Sequence, residues 1–172
     1  KEINDLKTSI ATNQQNEKDY LKLIFLYSDG GEKTKAFDTA KELLKQYPKS
    51  QLVHLALYKF YLEQGNSTQA INSMKIVFSS DKIDADSKNR VLSDFLLFAT
   101  KNSEQDFNLD GIFTQLLEDS NSVTYKQVGD YYLSKGQRDN ALAFYEKGTA
   151  LDLQNFSLLK STILLQIELD EF

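Results

Sequence analysis

The chain has 172 residues, of which 41% are hydrophobic and 26% are charged, and it carries a net charge of −5. This composition is ordinary for one soluble domain with its own core, and the acidic balance argues against nucleic acid as a partner, because nucleic-acid binders usually carry a basic surplus. Cysteine is absent, which excludes disulfides, thiolate nucleophiles and cysteine-based zinc sites, and no apolar run is long enough for membrane insertion.

An internal repeat of 34 residues organises the sequence. The first two copies share four pairs of identical residues at this spacing: Leu23 and Leu57, Tyr27 and Tyr61, Gly31 and Gly65, and Ala36 and Ala70. A fourth copy follows the second after 71 residues, with Tyr132, Gly136 and Ala141 in the same places, so the third copy is three residues longer. Within each copy the apolar residues recur at helical spacing in two runs, which predicts a stack of antiparallel helix pairs.

The first elements in chain order are half a repeat and two full copies. Residues 1–15 fit the second helix of a preceding repeat. Repeat 1 spans residues 17–50; its two helical runs are separated by a break at residues 29–31, and Pro48 ends the second run because the residue before a proline is disfavoured in a helix. Repeat 2 spans residues 51–84 and has the same organisation.

The remaining elements are two further copies and a final half. Residues 85–121 form a degenerate repeat 3, whose three-residue insertion lies between about Phe98 and Asp106. Three residues are nearly one helical turn, so we expect the first helix of this copy to be longer by a turn. Repeat 4 spans residues 122–154, and residues 155–172 fit the first helix of a following copy.

The repeated residues resemble the tetratricopeptide repeat, which has a bulky residue, Leu-Gly, Tyr, a glycine before the turn, small or aromatic residues in the second helix and a final proline. Repeat 4 carries this pattern at Tyr125, Val128, Gly129, Tyr132, Gly136, Ala141 and Tyr145, and repeat 1 carries it at Tyr20, Leu23, Tyr27, Gly31, Ala36, Ala40 and Pro48. The resemblance implies an all-α fold of about nine to ten helices. It also implies that the antiparallel pairs form a single α-solenoid domain, residues 1–172, wound as a right-handed superhelix.

His54 is the only histidine in the chain. A lone histidine could act as a general base. In the repeat alignment, however, it takes the place of Tyr20 and Tyr125, so a packing role is predicted.

Two polar patterns are predicted to cap helices. Residues 84–88 begin like a calcium loop, but Asn89 and Phe95 stand where such a loop needs glycine and glutamate, so Asp84 is predicted to be an N-cap. Asn66, followed by Gln69 three residues later, is the second predicted cap. The sequence contains no Gly-rich phosphate loop, nucleophile elbow or histidine-based metal motif, so we predict no catalysis, no metal and no cofactor.

The resemblance also implies a binding surface, because the first helices of such repeats line a concave groove. The residues of those helices that are not used for packing are expected to point into it: Leu21, Phe25, Ser28 and Asp29 in repeat 1; Leu55, Lys59, Leu62 and Glu63 in repeat 2; Asn89, Arg90 and Ser93 in repeat 3; and Lys126 and Asp130 in repeat 4. The predicted function is a scaffold that binds a peptide or protein segment, whose identity the sequence leaves open. Leu21 and Phe25 stand where the chaperone-binding members of the family need lysine and asparagine, so that carboxylate clamp is not expected.

The alternative is an assembly module that packs on itself or on another part of a longer chain. The terminal helix carries its helical spacing in Phe156, Leu159, Ile163 and Ile167, and it has more apolar surface than one neighbouring pair can cover. We therefore expect the chain to be part of a longer array and to form weak homodimers through this helix. The sequence leaves the cellular compartment open.

Overall fold

The computed structural model describes residues 1–12, 16–102, 111–113, 117 and 120–170. These residues form α-helices and contain no β-strand, so the predicted all-α class is confirmed. The helices are, in chain order, α1 (Glu2–Thr12), α2 (Glu17–Asp29), α3 (Lys33–Gln46), α4 (His54–Glu63), α5 (Ser67–Ser79), α6 (Ala85–Lys101), α7 (Ser122–Ser134), α8 (Arg138–Leu151) and α9 (Phe156–Asp170). Residues 111–113 are helical as well.

The chain divides into two compact units, residues 1–87 and residues 88–172. In the first unit α1 packs on α2, α2 on α3, α3 on α4 and α4 on α5, and in the second unit α8 packs on both α7 and α9. Three residues join α2 to α3, α4 to α5 and α7 to α8, and so short a connection makes the two helices of each pair antiparallel. The organisation of all 172 residues as one domain stays a prediction.

The turn inside each pair explains why the glycines recur at fixed spacing. Gly31, Gly65 and Gly136 have φ angles of 75°, 71° and 73°, in the left-handed region where a side chain is strained. The residue after each of these glycines donates its backbone N–H to the carbonyl of the repeated tyrosine five positions earlier, at 2.8 Å for Tyr27 and Tyr61 and 3.0 Å for Tyr132. This is the hydrogen bond of a Schellman C-cap, so these three turns share one geometry.

Both predicted N-caps are confirmed. The Asn66 side-chain oxygen accepts a hydrogen bond from the Gln69 backbone N–H at 3.2 Å, at the start of α5. Asp84 accepts bonds from the backbone N–H and the hydroxyl of Ser87, both at 2.8 Å, at the start of α6. The Asn66 side-chain oxygen and one carboxylate oxygen of Asp84 each satisfy a backbone N–H that has no partner within its helix. The carboxylate of Asp84 therefore has a structural role. Asn121 caps α7 in the same way.

The packing role of His54 is confirmed as well. Its side chain is buried, and its Nδ1 atom lies 3.1 Å from the Ser73 hydroxyl, which joins α4 to α5. Burial lowers the pKa of His54 below its ordinary value, because removal from water disfavours the charged imidazolium. The folded protein therefore keeps this histidine neutral at pH values where the unfolded chain begins to bind a proton.

We expect the protein to lose stability as the pH falls from about 7 through the ordinary histidine pKa of about 6.5, because the unfolded state then takes up a proton that the folded state does not. Since His54 is the only histidine, His54→Gln should flatten this part of the curve while keeping a group that can bond Ser73. Chemical denaturation at a series of pH values measures the effect. Equal stability of the wild-type protein across this interval would contradict it.

Helix α6 is longer than its counterparts in the other copies. It has 17 residues, against 13 in α2, 10 in α4 and 13 in α7, and it continues past Phe98 to Lys101. The predicted lengthening of this helix is therefore observed. The rest of the proposed insertion, up to Asp106, lies outside the described residues.

The pair α7–α8 is closely packed at one crossing. A Cβ atom placed on Gly129 in α7 would lie 2.3 Å from the ring of Tyr145 and 3.2 Å from the carbonyl oxygen of Ala141, both in α8. The equivalent positions in the other two pairs hold side chains of other sizes. They are Ile24 with Ala40 in α2–α3 and Tyr58 with Met74 in α4–α5, and all four are buried. Where the first helix has its smallest residue, the second helix thus supplies its largest.

The terminal helix α9 uses a different face from the predicted one. Leu158, Thr162 and Leu165 are buried, while three residues predicted to carry the packing spacing, Phe156, Ile163 and Ile167, are exposed; the fourth, Leu159, is half-buried. The prediction was wrong because this helix is apolar on most sides. Two different rows of residues then satisfy the same helical spacing, and periodicity does not distinguish between them.

Candidate functional site

A pocket of about 480 Å³ lies between α2 and α4 in the first unit. Six of the eight residues predicted for the groove in repeats 1 and 2 line it: Leu21, Phe25, Ser28, Leu55, Lys59 and Glu63. Leu21, Phe25 and Ser28 follow each other at helical spacing on α2, next to the row that packs into the core. The floor of the pocket is made of buried Ile24 and Phe60.

One end of the pocket is apolar. Phe25 stands out, because 65% of its surface is exposed although it lies within a largely apolar lining. Leu21 and Leu55 are half-buried beside it. An exposed aromatic ring next to half-buried leucines is the arrangement found where a partner side chain completes the packing.

The other end of the pocket is charged. The Lys33 ammonium group lies 3.0 Å from both carboxylate oxygens of Glu63, which joins the start of α3 to the end of α4. This ion pair is solvent-exposed, so its contribution to stability is below about 1 kcal/mol. Lys59 lies one helical turn before Glu63, is exposed, and takes part in no ion pair found among the described residues. Its ammonium group is therefore available to an acidic group at this end of the pocket.

The second unit arranges its predicted groove residues differently. Asn89 accepts a hydrogen bond from the Thr124 hydroxyl at 2.8 Å, and Ser93 accepts one from the Gln127 amide at 2.9 Å, so both residues tie α6 to α7. Asp130 in α7 forms an ion pair with Lys126 at 2.8 Å. Asn89 and Ser93 thus hold α6 and α7 together, whereas the pair of Lys126 and Asp130 lies within α7.

Tyr145 links α8 to the same group of side chains. Its hydroxyl donates to the Asp130 carboxylate at 2.6 Å. Burial raises the pKa of Tyr145, and the hydrogen bond to Asp130 raises it further, so the phenol stays protonated and remains a donor. Arg90, the remaining predicted residue of this unit, is exposed.

Comparison with known proteins identifies the repeat. Residues 20–50 match the sequence model of the tetratricopeptide repeat. The solved structure of pilF from Pseudomonas aeruginosa aligns with 90% of this chain and 69% of its own, at a TM-score of 0.54 and 18% identity. A thermophilic tetratricopeptide-repeat protein from Thermus thermophilus aligns over 96% of this chain and 89% of its own, at a TM-score of 0.50 and 17% identity. The chain has the tetratricopeptide-repeat fold. No curated protein matches the sequence significantly.

The prediction that Leu62 lies in the groove at repeat 2 was wrong. Only 9% of its surface is exposed, because it lies one turn after buried Tyr58 on α4. This short helix buries side chains around more than half of its circumference, and the pocket residues it leaves exposed or half-buried are Leu55, Ala56, Lys59 and Glu63. Asp29 is exposed but does not line the pocket.

Five lining residues were not predicted for the groove, and two of them, Lys33 and Leu52, lie outside the first helices of the repeats. Lys33 is the first residue of α3, and Leu52 precedes α4. Helical spacing carries no signal for either position, since each is placed by the turn that leads into its helix. Among the described residues there is no cluster of three or more potential metal ligands. No described helix has the length and apolar character needed to cross a membrane.

Proposed function

We propose that this chain is a non-catalytic protein-interaction scaffold whose first unit binds an apolar segment of a partner protein in the α2–α4 pocket. The observation that carries the proposal is the largely exposed ring of Phe25 within an apolar pocket of about 480 Å³. Helical-repeat proteins commonly use the surface formed by successive repeats to bind partners. A volume in the lower half of the usual range for binding pockets suits a few side chains of a segment better than a whole helix.

The lining suggests what the segment presents to the pocket. Large apolar side chains of the partner would cover Phe25, Leu21 and Leu55, and water displaced from these surfaces would supply most of the free energy of binding. The charged end is smaller and would set the orientation of the segment, because polar groups in a mainly apolar pocket act chiefly on specificity.

Phe25→Ala should weaken binding of a cognate peptide by about tenfold or more, because truncating an exposed aromatic anchor removes much of the apolar contact. Peptides would be selected from a displayed random library on the wild-type protein, and their affinities measured by fluorescence anisotropy. Since Phe25 is largely exposed in the free protein, the melting temperature of the variant should stay within a few degrees of the wild-type value.

The matched control is Leu97→Ala, which truncates another exposed apolar residue that is not part of the pocket. Selected peptides should bind this variant with wild-type affinity. A Leu55→Asp variant places a charge at a second position of the apolar lining and should also weaken peptide binding. Wild-type affinity of the selected peptides for both pocket variants would refute binding at this site.

Assembly with a second copy of the chain is the other candidate function. It is favoured by one observation, the four large apolar side chains that α9 exposes on the side away from its buried row: Phe156, Ile163, Leu164 and Ile167.

A further inference from the structure

The charges that line the α2–α4 pocket do not balance. Its charged residues are Lys33, Lys59 and Glu63, and the Lys33 ammonium group is bound to the Glu63 carboxylate at 3.0 Å. Lys59 stands four residues before Glu63, at the spacing of an ion pair within a helix, but that carboxylate pairs with Lys33 instead. Among the described residues Lys59 makes no ion pair, hydrogen bond or ring contact. The pocket therefore keeps one uncompensated positive charge, although the chain as a whole has a net charge of −5.

This free lysine lies beside the apolar part of the pocket. In the 34-residue register Lys59 is the equivalent of Phe25, and Leu55 is the equivalent of Leu21. Since α2 and α4 occupy equivalent places in successive copies and line one pocket, these residues stand side by side at two levels, leucine with leucine and phenylalanine with lysine. A partner that covers the apolar lining excludes water around the ammonium group, so a carboxylate bound there interacts with it more strongly than on an open surface.

We infer that the partner segment carries an acidic side chain that binds Lys59, two or three residues away from the large apolar side chain that covers Phe25. This inference rests on the binding role proposed above and specifies the chemistry of the partner. The spacing follows from the size of the pocket. A volume of about 480 Å³ corresponds to a width of about 8 Å, and an extended chain advances about 3.3 Å per residue, so two or three residues span it.

A side-chain carboxylate fits this position better than the carboxylate at the end of a chain. Terminal carboxylates are captured by several converging donors. The pocket residues one turn from Lys59 on α4 are Leu55, Ala56 and Glu63, and none of their side chains donates a hydrogen bond. One lysine next to an apolar surface instead suits an acidic residue within a segment, and it disfavours a basic residue there through like-charge repulsion.

An exchange of charges between protein and peptide tests this pairing. Peptides would be selected on the wild-type protein from a random library displayed with free C-termini, synthesised with amidated C-termini, and measured by fluorescence anisotropy. They should share an aspartate or glutamate two or three residues from a large apolar residue. Lys59→Glu should weaken binding by about fivefold or more, and so should replacing the acidic residue of the peptide by lysine, because each change brings like charges together. The two changes combined should return the affinity to within about threefold of wild type.

Two controls isolate the contact with Lys59. Lys45→Glu makes the same change of charge at an exposed lysine of α3 outside the pocket, and it should leave the affinity within about twofold of wild type. Raising the salt concentration from about 50 mM to about 500 mM should weaken binding to the wild-type protein and have little effect on Lys59→Gln, because salt screens the ion pair that this variant lacks.

The possible outcomes separate this inference from the binding role on which it rests. If Phe25→Ala weakens binding but the exchange of charges fails to restore it, the pocket still binds apolar segments and the acidic partner of Lys59 is refuted. If amidation alone abolishes binding, the bound group is a chain-terminal carboxylate, which overturns the inference as well. If no peptide can be selected, or if neither Phe25→Ala nor Lys59→Glu alters the affinity, the inference and the binding role both fail.

Discussion

Replacing Gly129 by isoleucine is expected to lower the free energy of unfolding by about 3 kcal/mol, through overpacking at the α7–α8 crossing. Even a single Cβ atom at this position would lie 2.3 Å from the Tyr145 ring. That ring is fully buried and held by its hydrogen bond to Asp130, so it cannot move aside without losing contacts. The small gain in helix propensity when a glycine is replaced is below about 1 kcal/mol and does not offset the clash.

A double-mutant cycle tests whether the clash is with this ring. Tyr145→Ala alone should cost about 3–5 kcal/mol, the usual loss for a buried aromatic side chain. Combined with Gly129→Ile, it recreates the residue types of the α2–α3 pair, Ile24 with Ala40. The double variant should therefore be more stable than the sum of the single effects predicts, with a coupling of at least about 1 kcal/mol. If the changes in unfolding free energy of the two single variants simply added up in the double variant, the two positions would pack independently.

The second expected result concerns the repeated alanines of the second helices. Ala70→Leu and Ala141→Leu should each destabilise the fold by about 1–3 kcal/mol, because both alanines are completely buried where two helices approach closely. The added side chain has no free volume to enter, so neighbouring side chains or the backbone must shift.

Denaturation midpoints would be compared with that of Asn72→Leu, a matched substitution at an exposed position of α5. The control should change the stability by less than about 0.5 kcal/mol. If the midpoints of both alanine variants were unchanged, the helices could not be as closely packed at these crossings as the burial of the two alanines indicates.

The sequence predicted best those features that depend on local backbone chemistry. The turn glycines could be placed because Gly31, Gly65 and Gly136 have to adopt positive φ angles, so the same residue type recurs at the same spacing. The caps Asn66 and Asp84 could be placed because a short polar side chain just before a helix has one obvious backbone partner. His54 was interpreted correctly through its alignment with packed tyrosines.

Features that depend on which side of an apolar helix meets its neighbours were predicted poorly. Leu62 and the outer row of α9 were both misplaced, because α4 and α9 carry apolar residues around most of their surface, so more than one row fits the helical spacing. The pocket itself forms where α2 and α4 lie side by side, and its lining includes Lys33 at the start of α3 and Leu52 just before α4. Single-helix periodicity contains no information about such contacts between elements.

The size relation between Gly129 and Tyr145 limits how the copies of this repeat can be recombined. A glycine in the first helix is compatible with the tyrosine of its own second helix, whereas Ile24 and Tyr58 belong with the smaller Ala40 and Met74. Exchanging one helix between copies would therefore produce a collision in one product and a void in the other. Duplication, deletion or engineered shuffling of these repeats should succeed only when a helix and its antiparallel mate move together, which makes the pair the smallest exchangeable segment of the chain.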